Sequence, residues 1–392
     1  MINNLPVRET PAYLFDVDGL RERVKMIRRQ LGEKIRLVYA MKANPFIISA
    51  ILPYVDGLEV CSPGEERICR HAGVPGSSLI LSGVYKEEEN FSEIMDVYGE
   101  APVYTAESEA QTLLLDRLAR EKGLRVKVLL RLTAGSQFGM DETVLRRLAA
   151  DSESLSGIRI VGVHFFSGTQ KKEKRTAREI ERVDELLMDL KPEPEELEFG
   201  PGLAISYFES DEPRNEEEIL SDLRARLENM RFGGRITLEM GRFIAAPCGT
   251  YLTKVVDKKE NEGQHFCIVD GGIHQVNYYG QNMAMKIPPI QVFRDGRVLP
   301  KAGIGDGQEP VSQTICGSLC TTADVLLREW NATNLAVGDV LAFGMAGAYA
   351  MTEGPALFLS RELPAVYLRE NGTLRKIRNK YQTEVLNDGT ID

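Results

Sequence analysis

Ionisable side chains stand where short apolar runs of the sequence end. Lys42 follows the run Arg36–Met41, while Glu59 and Glu239 stand near the ends of two other runs. A charged group on a buried strand is costly unless it has a partner or a chemical role. We therefore take these residues as candidates for chemistry rather than for packing.

The sequence also contains candidate residues for binding an anion. Gly200-Pro-Gly202 follows another apolar run, and Arg242 comes directly after the run that contains Glu239. Glycine lets backbone N–H groups approach an anion, and an arginine can neutralise it. A lysine can form a Schiff base with an aldehyde, a cradle can hold a phosphate, and a carboxylate can keep a pyridine nitrogen protonated. Together they predict pyridoxal 5'-phosphate as cofactor.

The elements that must position these residues recur as a unit of apolar run, turn and helix from residue 17 to about 242. Parallel strands covered on both faces have such nearly continuous apolar sequences. Eight units in about 220 residues predict a (βα)8 barrel of the TIM type, with its chemistry at the carboxyl ends of the strands. A doubly wound open sheet is the alternative. The strand candidates are Arg36–Met41, Gly57–Cys61, Leu79–Ser82, Pro102–Thr105, Arg125–Leu132, Arg159–Phe166, Glu196–Phe199 and Arg235–Glu239.

Helix signals between the runs support this division. Leu20, Val24, Ile27 and Leu31 form an apolar stripe at helical spacing. Ser62-Pro63-Gly64-Glu65 combines an N-cap residue with proline at the first helical position and a capping box. After residue 242 short strands alternate with polar turns, which predicts a mostly β second domain.

Composition narrows the function classes. The formal net charge is −10, from 48 basic and 58 acidic residues, so we expect no nucleic-acid partner. No apolar window is long enough to span a membrane, and the N-terminus lacks signal-peptide features. The six cysteines and four histidines show no metal-binding spacing, so we expect no metal, and a reducing cytoplasmic location is the simplest reading.

Eight motifs, in order along nearly the whole chain, resemble the ornithine/diaminopimelate decarboxylase family, the fold-type III pyridoxal-phosphate enzymes with an alanine-racemase-like barrel. They are Tyr39-Ala-Met-Lys-Ala-Asn44, Gly57-Leu-Glu-Val-Cys-Ser62, Gln137-Phe-Gly139, Gly162-Val-His-Phe-Phe-Ser-Gly-Thr-Gln170, Gly200-Pro-Gly202, Glu239-Met-Gly-Arg242, Cys316-Gly-Ser-Leu-Cys-Thr-Thr-Ala-Asp324 and Gly347-Ala-Tyr349.

The resemblance implies a barrel at 15–243, with 1–14 and 244–392 forming a β domain that contributes to a homodimer and to the partner's active site. It implies that Lys42 is the Schiff-base lysine, that Glu239 is the partner of the pyridine nitrogen and that Cys320 reprotonates the product. It further implies cofactor contacts at Glu59, Arg131, Phe166, Thr169, Gly200, Gly202, Arg242 and Tyr349, and substrate contacts at Asp324, Thr321, His274 and Tyr278.

Departures from the family pattern bear on the substrate. Thr321 stands where enzymes acting on free ornithine, lysine or diaminopimelate usually have an acid that contacts the distal ammonium. The stretch Gly272–Asn282 lacks the arginine that diaminopimelate enzymes use. The chain looks closest to the subgroup that decarboxylates conjugated or carrier-bound amino acids in antibiotic and siderophore biosynthesis. Phe166 replaces the family's usual stacking histidine.

Three other functions remain open from the sequence. They are a decarboxylase of a free diamino acid, an amino-acid racemase of the same fold and a non-catalytic relative that binds pyridoxal phosphate. Racemases of this fold place arginine at the pyridine nitrogen, so Glu239 favours decarboxylation. Cys61, Cys69, Cys248 and Cys267 are expected to be packing residues, and His164 a hydrogen-bonded core histidine.

Overall fold

A computed structural model describes residues 5, 7–279, 284–300 and 309–390. The described residues form two compact units. One contains Arg21–Ile205 and Arg214–Ile244, and we call it the barrel unit; the other contains the described residues of Met1–Leu20, Ser206–Pro213 and Ala245–Asp392, and we call it the β unit.

The first described elements are strand β1 (Ala12–Asp16) and helix α1 (Val17–Leu31). The predicted stripe of α1 is confirmed, because Leu20, Val24, Ile27 and Leu31 are all buried. Burying such a stripe is the main source of helix stability in a globular protein.

Eight parallel strands close into a barrel in the order β2 to β9, with β9 pairing back onto β2. The (βα)8 prediction is therefore confirmed, and the open-sheet alternative is wrong. The strands are β2 (Arg36–Ala40), β3 (Gly57–Val60), β4 (Leu79–Leu81), β5 (Val103–Ala106), β6 (Val126–Arg131), β7 (Ile158–Phe166), β8 (Glu196–Gly200) and β9 (Arg235–Met240).

Helices separate most of these strands. Ser62 caps α3 as predicted, because its Oγ accepts from the backbone N–H of Glu65 at 3.2 Å. The Glu65 carboxylate accepts from the N–H of Cys61, one residue before the position that a capping box requires. The helices are α2 (Ile48–Ile51), α3 (Pro63–His71), α4 (Glu88–Tyr98), α5 (Glu109–Glu121), α6 (Glu142–Ala150), α7 (Glu173–Asp189), α8 (Glu216–Glu228) and α9 (Arg242–Ala245).

The β unit is mostly β, as predicted, with one further short helix, α10 (Glu384–Asn387). Its strands are β10 (Gly249–Asn261), β11 (Gln264–Val269), β12 (Ile290–Arg294), β13 (Arg297–Val298), β14 (Val311–Cys316), β15 (Val325–Ala332), β16 (Val340–Phe343), β17 (Ala365–Glu370) and β18 (Thr373–Arg378).

Strand β1 lies inside the sheet of the β unit, antiparallel to β10 and parallel to β17. Its core-facing residues Ala12 and Leu14 pack in one cluster with Leu252 and Phe293. Strand β16 lies on the other side of β10. Strand β11 also pairs with β10 and continues through β14 to β15, and the loop between β14 and β15 contains Cys320. No helix in the described part of the chain is long and apolar enough to cross a bilayer.

Candidate active site

Lys42 lies in a short 3-10 turn, Met41–Ala43, at the carboxyl end of β2. Its Nζ is 2.8 Å from Oε2 of Glu59 and 3.4 Å from Sγ of Cys61. The ring centroid of Phe166, the last residue of β7, is 5.9 Å from the same nitrogen. The expectation that Cys61 only packs is therefore wrong, because its thiol touches the candidate lysine.

Glu239 projects from β9 into the barrel and is 5% exposed. Its Oε2 lies 3.4 Å from Nε2 of His164, but the two atoms do not form a hydrogen bond. Burial, followed by the charge of Arg131, lowers the pKa of His164 to about 3, so the imidazole is neutral at physiological pH. Neither ring nitrogen of His164 makes a hydrogen bond within the described residues, so it is not the hydrogen-bonded core histidine that was expected.

Glu59, His164 and Glu239 each place one side-chain donor atom within 4.8 Å of the others. Burial raises the pKa of Glu59, and the nearby Glu239 carboxylate raises it further, in spite of Lys42. A cationic group entering this cluster would relieve the repulsion between two buried carboxylates. The cluster therefore fits the protonated nitrogen of a heterocycle.

Sequence reasoning missed a third acid in the barrel. Glu198 on β8 is 1% exposed, and neither carboxylate oxygen makes a hydrogen bond within the described residues. Burial and then the charge of Glu239 raise its pKa well above the usual range, which favours the protonated, neutral form of this carboxyl group. Its position inside the run Leu197-Glu-Phe199 was the available signal, the same one that singled out Lys42.

The loops after β7 and β8 approach each other closely. A Cβ on Gly202, whose φ is +56°, would lie 2.0 Å from the carbonyl oxygen of Gly168. A Cβ on Gly200 would meet the ring of Phe166 and, at 2.7 Å, Oε1 of Glu239. Only glycine fits at these two positions, so backbone rather than side chain lines this part of the mouth.

Thr169 lies in the first of these loops and is partly buried, while Arg242 begins α9 and is buried. The two residues offer a hydroxyl and a guanidinium at the carboxyl ends of β7 and β9. With the glycine backbone they form a set of donors suited to a phosphate group.

Arg131 ends β6 and forms a buried ion pair with Glu107, with 2.6 Å between Nη1 and Oε1. Glu107 also accepts from the backbone N–H of Gly139, which fixes the Gln137-Phe-Gly139 loop. Glu107 and Lys86 were not identified from the sequence. Burial lowers the pKa of Lys86 to about 8.

The remaining predicted residues belong to the β unit. Cys320 and Thr321 are exposed in the loop between β14 and β15, and Tyr349 follows β16 with a φ of +63°. His274 is 1% exposed, with a pKa lowered to about 4 by burial and then by Arg361. Tyr278 is buried and its hydroxyl donates to the carbonyl of Gly344 at 2.7 Å.

Asp324 is 2% exposed and accepts from the backbone N–H groups of Leu319 and Ile273 at 2.7 and 2.8 Å. A Cβ on Gly317 or Gly272 would lie within 2.6 Å of this carboxylate. The described geometry thus ties Asp324 to the backbone that carries Cys320. Of the region Gly272–Asn282, residues 280–282, Asn282 among them, lie outside the described residues.

Known proteins that resemble this chain include decarboxylases of amino acids. L-Glutamyl-[BtrI acyl-carrier protein] decarboxylase of Niallia circulans is 28% identical, over 95% of this chain and 91% of its own. Diaminopimelate decarboxylase of Aquifex aeolicus is 25% identical, over 98% and 92%. The crystal structure of diaminopimelate decarboxylase from M. jannaschii with L-lysine has the same fold, with a TM-score of 0.85, 21% identity and coverage of 98% and 92%.

A family model described as pyridoxal-dependent decarboxylase, pyridoxal binding domain, matches residues 17–246, more than half of the chain. That range includes Lys42, the glycine loops and the buried Glu239, whose unpartnered oxygen and neighbours suit a pyridine nitrogen. The cofactor expected from the sequence is therefore confirmed, and the chain belongs to the pyridoxal-dependent decarboxylase family, as a carboxy-lyase that acts on an amino acid with the help of pyridoxal 5'-phosphate.

Proposed function

We propose that this decarboxylase acts on an amino acid whose far end is an amide, an ester or a thioester tether to a carrier protein or a larger acid. The observation that supports the proposal most directly is the set of hydrogen bonds that the Asp324 carboxylate accepts. This group is the one carboxylate of the loop Gly317–Asp324, and it accepts two backbone hydrogen bonds instead of facing solvent.

A free diamino acid would bring a second ammonium group into the site. Burying an ammonium without a carboxylate partner costs several kcal/mol. The exposed tip of the loop consists of Cys320, Thr321 and Thr322, and none of these residues has a carboxylate side chain. A tethered substrate brings no second charge, so a hydroxyl at position 321 is enough.

The relatives support both candidate substrates. The carrier-protein decarboxylase of Niallia circulans is named for a tethered glutamyl group, and the enzyme of Aquifex aeolicus for free diaminopimelate. The side chain of Thr321 and the hydrogen bonds of Asp324 to the backbone favour the tethered substrate. Decarboxylation of a free diamino acid is the second candidate.

Within the barrel unit, we assign cofactor binding to residues that the geometry suits. Lys42 would bind the aldehyde carbon, and Glu239 would hold the pyridine nitrogen in its protonated form. The phosphate would be bound by the Gly200 and Gly202 backbone with Thr169 and Arg242. Tyr349, a residue of the β unit, stays a prediction from the family resemblance. When bound, the ring accepts the electron pair left by the departing carboxyl group.

Other residues orient these groups. Glu59 holds the Lys42 ammonium at 2.8 Å, and the Arg131–Glu107 ion pair fixes the loop at the opposite part of the mouth. Phe166 offers an apolar face against the cofactor ring. It carries no charge, so protonation of the ring would depend on Glu239 alone, since His164 is neutral.

We assign the return of a proton to the product to Cys320 of a second subunit, with Thr321, His274 and Tyr278 near the substrate. The working enzyme would then be a homodimer with two shared sites. An exposed thiol on a loop whose backbone is braced by Asp324 suits a group that must reach into another subunit.

Subunit mixing tests this assignment. An equimolar mixture of inactive Lys42→Ala and inactive Cys320→Ala subunits should regain about a quarter of wild-type activity after exchange, because half of the dimers would be hybrids with one intact site. Activity and a tag-based measure of hybrid formation are followed together. Hybrids that form but stay inactive would place Cys320 in the site of its own subunit.

Substrate choice tests the proposed function. We expect kcat/KM for free ornithine, lysine and diaminopimelate to be at least about 100-fold below that for an amide- or thioester-linked analogue, because of the unpaired ammonium. Product formation is measured by mass spectrometry. Turnover of a free diamino acid above about 10⁴ M⁻¹s⁻¹ would refute the proposal.

A substitution at the loop tip provides the matched experiment. Thr321→Glu should raise kcat/KM for free diamino acids and lower it for tethered ones, since it supplies the missing carboxylate. Thr321→Gln has the same size without the charge and should not raise activity on free diamino acids. Equal effects of both variants would contradict a role for charge at this position.

A further inference from the structure

The exposed side of α7 has an unusual distribution of charge. Lys172, Lys174, Arg178 and Arg182 are all exposed, and none forms an ion pair with another residue that the structure describes. We call these four residues the basic edge. Their neighbour Arg175, in contrast, pairs with Glu179 at 3.0 Å.

The order of charges along α7 works against the helix. Negative charges are favourable near a helix N-terminus and positive charges near its C-terminus, each by about 0.3–1 kcal/mol. Here Lys172, Lys174, Arg175 and Arg178 outnumber the single acid Glu173 near the start of the helix, while its last turn has no basic residue. Charges that oppose the helix dipole are typical of a surface kept for function rather than for stability.

The basic edge lies at the end of the barrel where the cofactor site is. Arg175 donates to the carbonyl oxygen of Ser167, in the loop that contains Thr169, at 3.2 Å. Arg182 donates to the carbonyl oxygen of Thr133, two residues after Arg131, at 3.3 Å. Arg175 and Arg182 thus tie α7 to the loops after β7 and β6, and the basic edge extends over about 15 Å of the same helix.

We propose that the basic edge docks an acidic protein that carries the amino acid substrate as a thioester, an inference that rests on the proposed function. Four exposed cations without an ion pair among the described residues, in a chain with a net charge of −10, suit this edge to an anionic partner. One helix edge matches a small acidic protein domain better than a nucleic acid, whose backbone needs a longer basic track. Docking there would bring the tethered group to the barrel mouth.

Charge reversal tests the proposal. In Lys172→Glu/Lys174→Glu/Arg178→Glu, kcat/KM for the aminoacyl-carrier protein should fall about 10- to 30-fold, as three exposed charge pairs are lost or reversed. With the same aminoacyl group on free pantetheine, kcat/KM should stay unchanged. The wild-type preference for the carrier should weaken as salt is raised from 50 to 500 mM, because exposed charges are screened.

A matched control reverses three cations at the opposite end of the barrel. Arg29, Lys34 and Arg125 are exposed and lie near the N-terminal ends of β2 and β6. Arg29→Glu/Lys34→Glu/Arg125→Glu changes the net charge equally and should retain wild-type kcat/KM for the carrier substrate. The triple variant on α7 should not unfold at a lower temperature than wild type, since its new charges suit the N-terminal half of the helix.

The outcomes separate this inference from the proposed function. Turnover of both tethered substrates with no loss in the α7 variant overturns the docking surface and leaves the function intact. Equal losses in both triple variants, or tighter binding of a 20-base-pair DNA duplex than of the carrier at the basic edge, also overturn it. If wild type processes neither tethered substrate but turns over free diaminopimelate, the proposed function fails, and the docking partner with it.

Discussion

Reduction of the enzyme with borohydride should attach the cofactor to the tryptic peptide that contains Lys42. Lys42 stands at the barrel mouth with its Nζ held by Glu59 at 2.8 Å and with Phe166 nearby. Lys42→Ala should lose the visible absorbance of the bound cofactor after dialysis and lower kcat by at least about 10³-fold, as expected when the residue that forms the covalent link is removed.

Lys86 makes this a discriminating experiment. Burial lowers its pKa to about 8, so a larger fraction of this amine is uncharged near neutral pH than in an ordinary lysine, and it could react with an aldehyde. Peptide mapping separates the two lysines, and Lys86→Ala should still be labelled at Lys42. Label found on Lys86 in the wild type would refute the assignment of Lys42.

Glu239→Gln should keep the cofactor but lose about 10²- to 10³-fold in kcat. A charged hydrogen bond to the pyridine nitrogen is worth about 1.5–3 kcal/mol, and more where charge develops during the reaction. His164 cannot replace it, because a pKa of about 3 leaves the imidazole neutral. Cofactor content is measured by absorbance after alkaline release, and kcat by the CO2 formed.

Glu198→Gln is the matched control for Glu239→Gln. Both acids lie inside the barrel, but burial raises the pKa of Glu198 well above its usual range, which favours the neutral form of its side chain. An amide of nearly the same shape should therefore leave kcat within about threefold of wild type. Normal turnover by Glu239→Gln, or an equal loss in Glu198→Gln, would contradict the role of the Glu239 charge.

The barrel could be predicted because its strands are buried on both faces. Runs such as Arg159–Phe166 contain few polar residues, and helix signals such as Ser62-Pro63 separate them. Strands β15 and β18 were not predicted, because exposed polar side chains such as Arg328 and Lys376 interrupt their apolar pattern. The place of β1 in the sheet depends on its pairing with β10 and β17, which lie far along the chain, so the local sequence does not predict it.

Residues in motifs were easier to find than residues that support them. Lys42 and Glu239 stand in recognisable sequences, and the structure places both in the barrel. Glu107 and Glu198 are isolated acids in the sequence. Their importance depends on charged neighbours in the folded chain, Arg131 and Glu239, which the local sequence does not reveal. His164 was misjudged for the same reason, since its neighbour Glu239 is 75 residues away in sequence.

The position of β1 affects how the chain can be assembled during translation. This strand is made before the barrel, yet it pairs with β10 and with β17, some 350 residues later. Domains generally fold as units while the ribosome is still adding residues. The residues of the barrel are nearly contiguous, so the barrel can close first. The edge of β1 that pairs with β17 stays unpaired until β17 has emerged from the ribosome. A nascent chain paused between the two would expose Ala12–Asp16 as a free strand, the kind of segment that chaperones bind and that aggregates most readily.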